Sequence, residues 1–192
     1  MQRTTSATQA IIYTVDNGIA TLTLNRPAQK NALDMVMRNE IADVISDICH
    51  DRQIKSLIIT GAGGAFCSGG DIRTMDASGS AEDGRDRMAE LHLWLEELIT
   101  LDRPVIAAVD GPAYGAGFGL ALAADFIIAT PRARFCLAFL RLGLIPDCGV
   151  FILYHVSSDY KEQKNWRFLP EKSMRKKHNK WASFLRFSQK KN

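Results

Sequence analysis

The feature that most constrains this chain is a repeated change of hydrophobic period. Short apolar runs with strand character alternate with amphipathic stretches of helical spacing, and glycines sit where one hands over to the next. Residues 10–25 read as two strands. Ile11-Ile12-Tyr13-Thr14-Val15 runs into the turn signal Asp16-Asn17-Gly18, after which Ile19, Thr21 and Thr23 alternate with Ala20, Leu22 and Leu24. From Leu33 to His50 the period becomes helical, with Leu33, Val36, Ile41, Val44 and Ile48 on one face. Residues 55–60 form a short apolar strand closed by Gly61-Ala62-Gly63-Gly64, and Met88, Leu91, Leu95 and Leu98 mark a second amphipathic helix. Residues 104–109 read as a buried strand, followed by glycine-rich chain, an Ala/Leu helix to about Ala124 and a strand at 126–129. Such alternation builds an α/β fold with largely parallel central strands, because each helix carries the chain back to begin the next strand in the same direction. Ala77-Ser78-Gly79-Ser80 reads as a mobile loop, and there is no internal repeat.

The 192 residues, 46% hydrophobic and 23% charged, suffice for one domain with a real core. No apolar run approaches a membrane span, and the first residues lack the basic-then-apolar pattern of a signal peptide. Cys49, Cys67, Cys136 and Cys148 have no metal-type spacing, which predicts free thiols in a reducing, cytoplasmic setting. The net charge of +3 hides a split: residues 151–192 hold 11 Lys/Arg against 3 Asp/Glu, leaving 13 against 18 for the rest. A basic tail on an acidic domain is one signature of a nucleic-acid or membrane-surface binder. No aromatic–basic platform accompanies it here, so neither partner is expected.

Four segments together carry a resemblance. They are Leu24-Asn25-Arg26-Pro27 with Asn31-Ala32-Leu33; Ala65-Phe66-Cys67-Ser68-Gly69-Gly70-Asp71-Ile72; the strand from Pro104 to Gly111 with Ala113-Tyr114-Gly115-Ala116-Gly117; and Gly143-Leu144-Ile145-Pro146-Asp147. In order and spacing the chain resembles the crotonase (enoyl-CoA hydratase/isomerase) superfamily over residues 10–150. The resemblance implies an α/β crotonase-like spiral of ββα units, here missing the C-terminal helical layer. It implies an acyl-CoA substrate, with coenzyme A part of the substrate, no separate cofactor and no metal. Full-length relatives are expected to form trimers or hexamers, an assembly this chain is expected to be impaired in.

Reactions at the α and β carbons of a thioester pass through an enolate, and two backbone N–H groups fixed around the thioester oxygen stabilise its charge. The resemblance assigns those donors to Gly70 and Ala116; glycine and alanine let a ligand approach closely. It also places Ala65, Ser68, Gly69, Asp71 and Ile72 along the pantetheine and nucleotide path, and Gln29, Asn31 and Ala32 beside the adenine. The resemblance also counts Tyr114, Gly115, Gly117, Phe139 and Pro146 among the substrate-binding residues. Asp71 is expected to be mostly structural within its loop. Arg26 and Lys30 either meet phosphates or form surface salt bridges.

The two glutamates that hydratases of the family use to handle water fall at Gly119 and Phe139, neither of which transfers a proton. One carboxylate remains on the matching segment, Asp147. A single carboxylate suits a double-bond shift, removing a proton from one carbon and returning it to another, with Phe139 helping to keep water out. The competing reading makes Asp147 the cap of a following helix. The functional alternatives are therefore an enoyl-CoA isomerase with Asp147 as acid/base, or an inactive remnant or non-catalytic acyl-CoA binder.

After Val150 the pattern stops: glycine disappears and the chain turns basic and aperiodic. One lost base near the Val150–Phe151 codons accounts for this. Reading each codon as the last base of one present codon plus the first two of the next, Asp159/Tyr160 and Asn165/Trp166 both force Leu and Trp181/Ala182 forces Gly. The permitted string Tyr-Thr-Leu-Pro-Arg-Ile-Val-Gly matches what the family carries next. Residues 151–192 are thus expected to be an out-of-frame tail with no partner and no domain, leaving a chain that is poorly soluble, or unstable and inactive. Reading the gene across this point decides it, an intact frame overturning the idea.

Overall fold

In the structure, a computed structural model, residues 10–74 and 80–150 are described. The loop expected at 77–80 lies largely outside them, and the tail from 151 onward wholly so. The chain opens with a hairpin of β1 (Ile11–Asp16) and β2 (Ile19–Leu24), antiparallel from Ile11 opposite Leu24 to Asp16 opposite Ile19. Its two-residue turn has positive φ at Asn17 (48°) and Gly18 (80°), the mirror-image geometry that matches strand twist.

Three further strands add in parallel: β3 (Ser56–Gly61) beside β2, β4 (Val105–Val109) beside β3, and, after one more pair of elements, β6 (Phe126–Ala129) beside β4. The sheet order is β1-β2-β3-β4-β6. Between them run α1 (Met35–His50), α2 (Ala81–Ile99) and α3 (Ala116–Leu122). A second, smaller ladder pairs β5 (Pro112–Tyr114) with β7 (Arg134–Cys136), and single bridges extend it, Cys67 to Ala113 and Gly70 to Leu33. Each pass of the chain thus places a strand in the large sheet and a short pairing in the small one. Helices complete the first three passes: β2, Leu33, α1; β3, residues 67–70, α2; β4, β5, α3. This is the crotonase-like ββα spiral.

Local chemistry sets the element ends. Asp34 caps α1 by accepting from the Met37 N–H at 2.9 Å, and Ser80 with Asp83 forms a capping box on α2. Arg103 donates to the carbonyls of Ile48, Asp51 and Ile54, so one guanidinium satisfies the C-terminal end of α1 and the turn beyond it. Three expectations are corrected. Leu33 lies before α1, in the bridge to Gly70; Val36 faces solvent, 59% exposed; and Met37 and Ile45 join Ile41, Val44 and Ile48 in the buried stripe. The third helix stops at Leu122, short of Ala124, and is buried along its whole length. Strands β5 and β7 did not register as periodic segments at all. A single core runs from the sheet into all three helices, with the Phe118 and Phe135 rings in tilted contact, centroids 5.2 Å apart, between α3 and β7.

Candidate functional site

The expected donors, Gly70 and Ala116, lie on two loops that the small ladder presses together. Leu33 donates to the Gly69 carbonyl at 2.8 Å and its own carbonyl accepts from Asp71 at 3.0 Å. Strand alternation then turns the Gly70 N–H away from residue 33. On the other side, Cys67 donates to the Pro112 carbonyl and accepts from Tyr114. The approach is close: a Cβ on Gly69 would lie 2.9 Å from the Tyr114 carbonyl and 3.7 Å from the Ala116 nitrogen, and Gly69 has φ 105°. Among the described residues neither the Gly70 nor the Ala116 N–H has an acceptor.

Gly115, with φ 51°, turns the chain into α3, and the tip of the Phe139 ring lies 3.9 Å from where its Cβ would be. Phe139 is buried, in the 3₁₀ turn Ala138–Leu142. Gly117 is seated on Cys67: a Cβ there would be 2.3 Å from the Cys67 carbonyl oxygen. At Gly119 a Cβ would meet Cys148 at 2.8 Å and Val150 at 3.0 Å, so this position has no room for a glutamate. That contact brings Cys148, the residue after Asp147, against α3 one turn from Ala116. Asp147 is half-buried, and its Oδ1 is fully buried without a hydrogen-bond partner among the described residues. Burial first, and the Asp147 carboxylate next, push the Cys148 thiol above its ordinary range. Pro146 is half-buried, while Leu144 and Ile145 before it are exposed.

The polar residues at the other end turn inward. Asn31 is completely buried; its amide nitrogen donates to the Ala62 and Ala65 carbonyls, and its oxygen accepts from the Arg26 N–H. Its side chain, expected beside the adenine, is closed to a ligand. Arg26 is likewise engaged, by the Ala32 carbonyl, Asp34 and Asp71. Asp71 also accepts from the Arg73 backbone and guanidinium. That bonding, with Arg26 as a second partner, holds its carboxyl far below the usual carboxylate range. Ser68 donates from its hydroxyl to the Gln29 carbonyl and from its N–H to Lys30. Gln29 is half-buried, Ala32 and Ala65 are buried, Tyr114 is half-buried at the end of β5, and Ile72 and Lys30 are exposed. Cys67 is fully buried and its thiol is pushed up to about 12, chiefly by that burial. Among the described residues no group of His, Cys, Asp and Glu could hold a metal ion, and no helix is long and apolar enough to cross a membrane.

Comparison with known proteins places these segments in context. The family model described as enoyl-CoA hydratase/isomerase matches residues 14–156. The chain is 42% identical over 142 residues to 1,2-epoxyphenylacetyl-CoA isomerase of Escherichia coli K12, covering 72% of this chain and 54% of that protein. It is 40% identical over 146 residues to trans-2-decenoyl-[acyl-carrier-protein] isomerase of Streptococcus mutans, covering 74% and 56%. The solved enoyl-CoA hydratase/isomerase from Cupriavidus metallidurans CH34 superposes with a TM-score of 0.77 at 34% identity, covering 84% of this chain and 61% of that one. The chain spans about half the length of the curated relatives it matches.

Proposed function

The chain belongs to the enoyl-CoA hydratase/isomerase family, and from that premise we propose that it holds an acyl-CoA thioester oxygen between the Gly70 and Ala116 amides and shifts a double bond with Asp147 as acid and base. What supports this is two acceptor-free N–H groups on adjoining loops, together with a buried, unpartnered carboxylate oxygen on the segment whose next residue, Cys148, packs against α3. In a 3-enoyl thioester, Asp147 takes a proton from C2. The resulting dienolate carries its charge on the thioester oxygen, where the two amides receive it. The same proton then returns to C4, leaving the double bond between C2 and C3. One carboxylate serves both steps, and nothing at positions 119 or 139 activates water.

A second reading is a binder without turnover: Asp147 as a residue is only half-buried among the described residues, so its segment is not sealed from water. One experiment separates the two. The protein is incubated with 3-enoyl-CoA and with 2-enoyl-CoA, and products are resolved by chromatography. The expected outcome is conversion of 3-enoyl to 2-enoyl thioester without hydration, which also overturns the expectation that the 192-residue chain is inactive, and a slowing of about 10²- to 10⁴-fold by Asp147→Asn. An unaltered rate in Asp147→Asn removes it as the base; binding without conversion establishes the second reading.

A further inference from the structure

We infer that Arg26 is a positioning residue for the Gly70 amide, fixing the direction of a hydrogen-bond donor that it does not touch. The inference rests on the oxyanion-hole reading above and adds to it the group that holds the hole in shape.

The geometry begins with a weakness. Gly70 is aimed by an isolated bridge, two hydrogen bonds to Leu33, with no extended strand on either side to stiffen it. Glycine at that point adds no side-chain packing of its own. Something else must stop the 68–71 segment from rotating about the bridge. Arg26 is placed to do so. Its Nη1 donates to the Ala32 carbonyl at 2.5 Å, the residue before the bridge on one strand. Its Nη2 lies 3.0 Å from Asp34 and 3.1 Å from Asp71, the residues after the bridge on both strands. One planar group therefore grips both partners of the Leu33–Gly70 pair from the side. The Arg26 backbone is itself anchored, since its N–H donates to Asn31 Oδ1 at 2.8 Å and Asn31 reaches on to Ala62 and Ala65. The clamp thus joins the chain after β2, the loop after β3 and the segment carrying Gly70.

Arg73 does not duplicate this. It bonds Asp71 from the solvent side, 64% exposed, and among the described residues makes no hydrogen bond to the opposite strand. Lysine in place of Arg26 keeps the charge but offers a single ammonium in place of a fork, and cannot hold a carbonyl and two carboxylates in fixed directions at once. A donor displaced by about 1 Å costs on the order of 10²-fold in rate, and charge developing on the thioester oxygen feels that displacement more than ground-state binding does.

The test uses the 192-residue protein and acetoacetyl-CoA, a β-ketoacyl thioester acidic enough to enolise when its oxygen is stabilised. The ultraviolet band of the bound enolate reads the oxyanion hole, and affinity for free coenzyme A reads the rest of the site. The expected result is an enolate band in the native protein. In Arg26→Lys that band falls on the order of tenfold, while coenzyme A affinity stays within about twofold and the melting temperature shows a folded protein. An undiminished band in folded Arg26→Lys overturns the positioning role. Should that variant not fold, Asp71→Asn, of the same shape but uncharged, is read beside Arg73→Ala: loss of the band in Asp71→Asn alone supports the clamp, and any other pattern overturns it. A native protein that binds coenzyme A but shows no enolate band overturns the oxyanion-hole reading itself.

Discussion

Among single residues, the cysteines show most directly how environment overrides chemical type. Cys67, Cys136 and Cys148 are buried and Cys49 is exposed. The thiolate is the reactive species, and burial opposes it; the Cys67 thiol, at about 12, stays protonated through the neutral range. Slight burial and then Glu97 raise the Cys49 thiol as well, so its reaction should quicken as pH rises. We expect iodoacetamide to modify Cys49 in the native protein, and the other three only after denaturant is added. Peptide mapping of the alkylated protein checks this, and native labelling of Cys67 as fast as Cys49 would contradict it. Arg26, Asn31 and Asp71 make the same point for polar groups. In the sequence Arg26 and Asn31 read as surface or ligand contacts, and Asp71 as a residue bonded within its own loop. Their carbonyl and carboxylate partners lie up to 45 residues away, and only folding brings those together.

At the scale of elements, glycine spacing is decided by what lies opposite. Gly117 and Gly84 are both helical. A Cβ at 117 would lie 2.3 Å from a backbone oxygen of Cys67, whereas at 84 its nearest neighbour would be the Arg87 guanidinium at 4.0 Å. Gly117→Ala is therefore expected to destabilise by about 1–3 kcal/mol through overpacking. Gly84→Ala should stabilise α2 by about 0.4–1 kcal/mol. Urea denaturation midpoints of the two variants test the pair, and equal shifts would refute the packing argument. The long strands and both amphipathic helices were legible because they extend over enough residues to show a period. Strands β5 and β7, three residues each, were not: a run that short has no period, and their pairing partner is supplied by a different part of the chain.

Across the whole molecule, the large sheet ends at β6, whose Phe126 and Ile128 point outward, the latter 64% exposed. Leu142, Leu144 and Ile145 are exposed as well among the described residues. An apolar edge strand is a template for pairing between molecules. We expect the 192-residue protein to self-associate with rising concentration and Ile128→Lys to suppress it. Light scattering on the two proteins measures this, and identical association would exclude the β6 face as the contact.

By itself the sequence determined the alternating α/β plan, the order of the family's segments, the glycine-rich loops and the absence of a carboxylate at positions 119 and 139. All of these are written in residue type and spacing, which survive without coordinates. The tertiary structure alone decided that the Leu33–Gly70 bridge turns one amide outward, that Arg26 and Asn31 are spent inside the fold, and that Gly119 leaves no space beside Cys148. Each is a relation between segments tens of residues apart, where closeness and burial choose among roles that the same side chain fills equally well in the sequence.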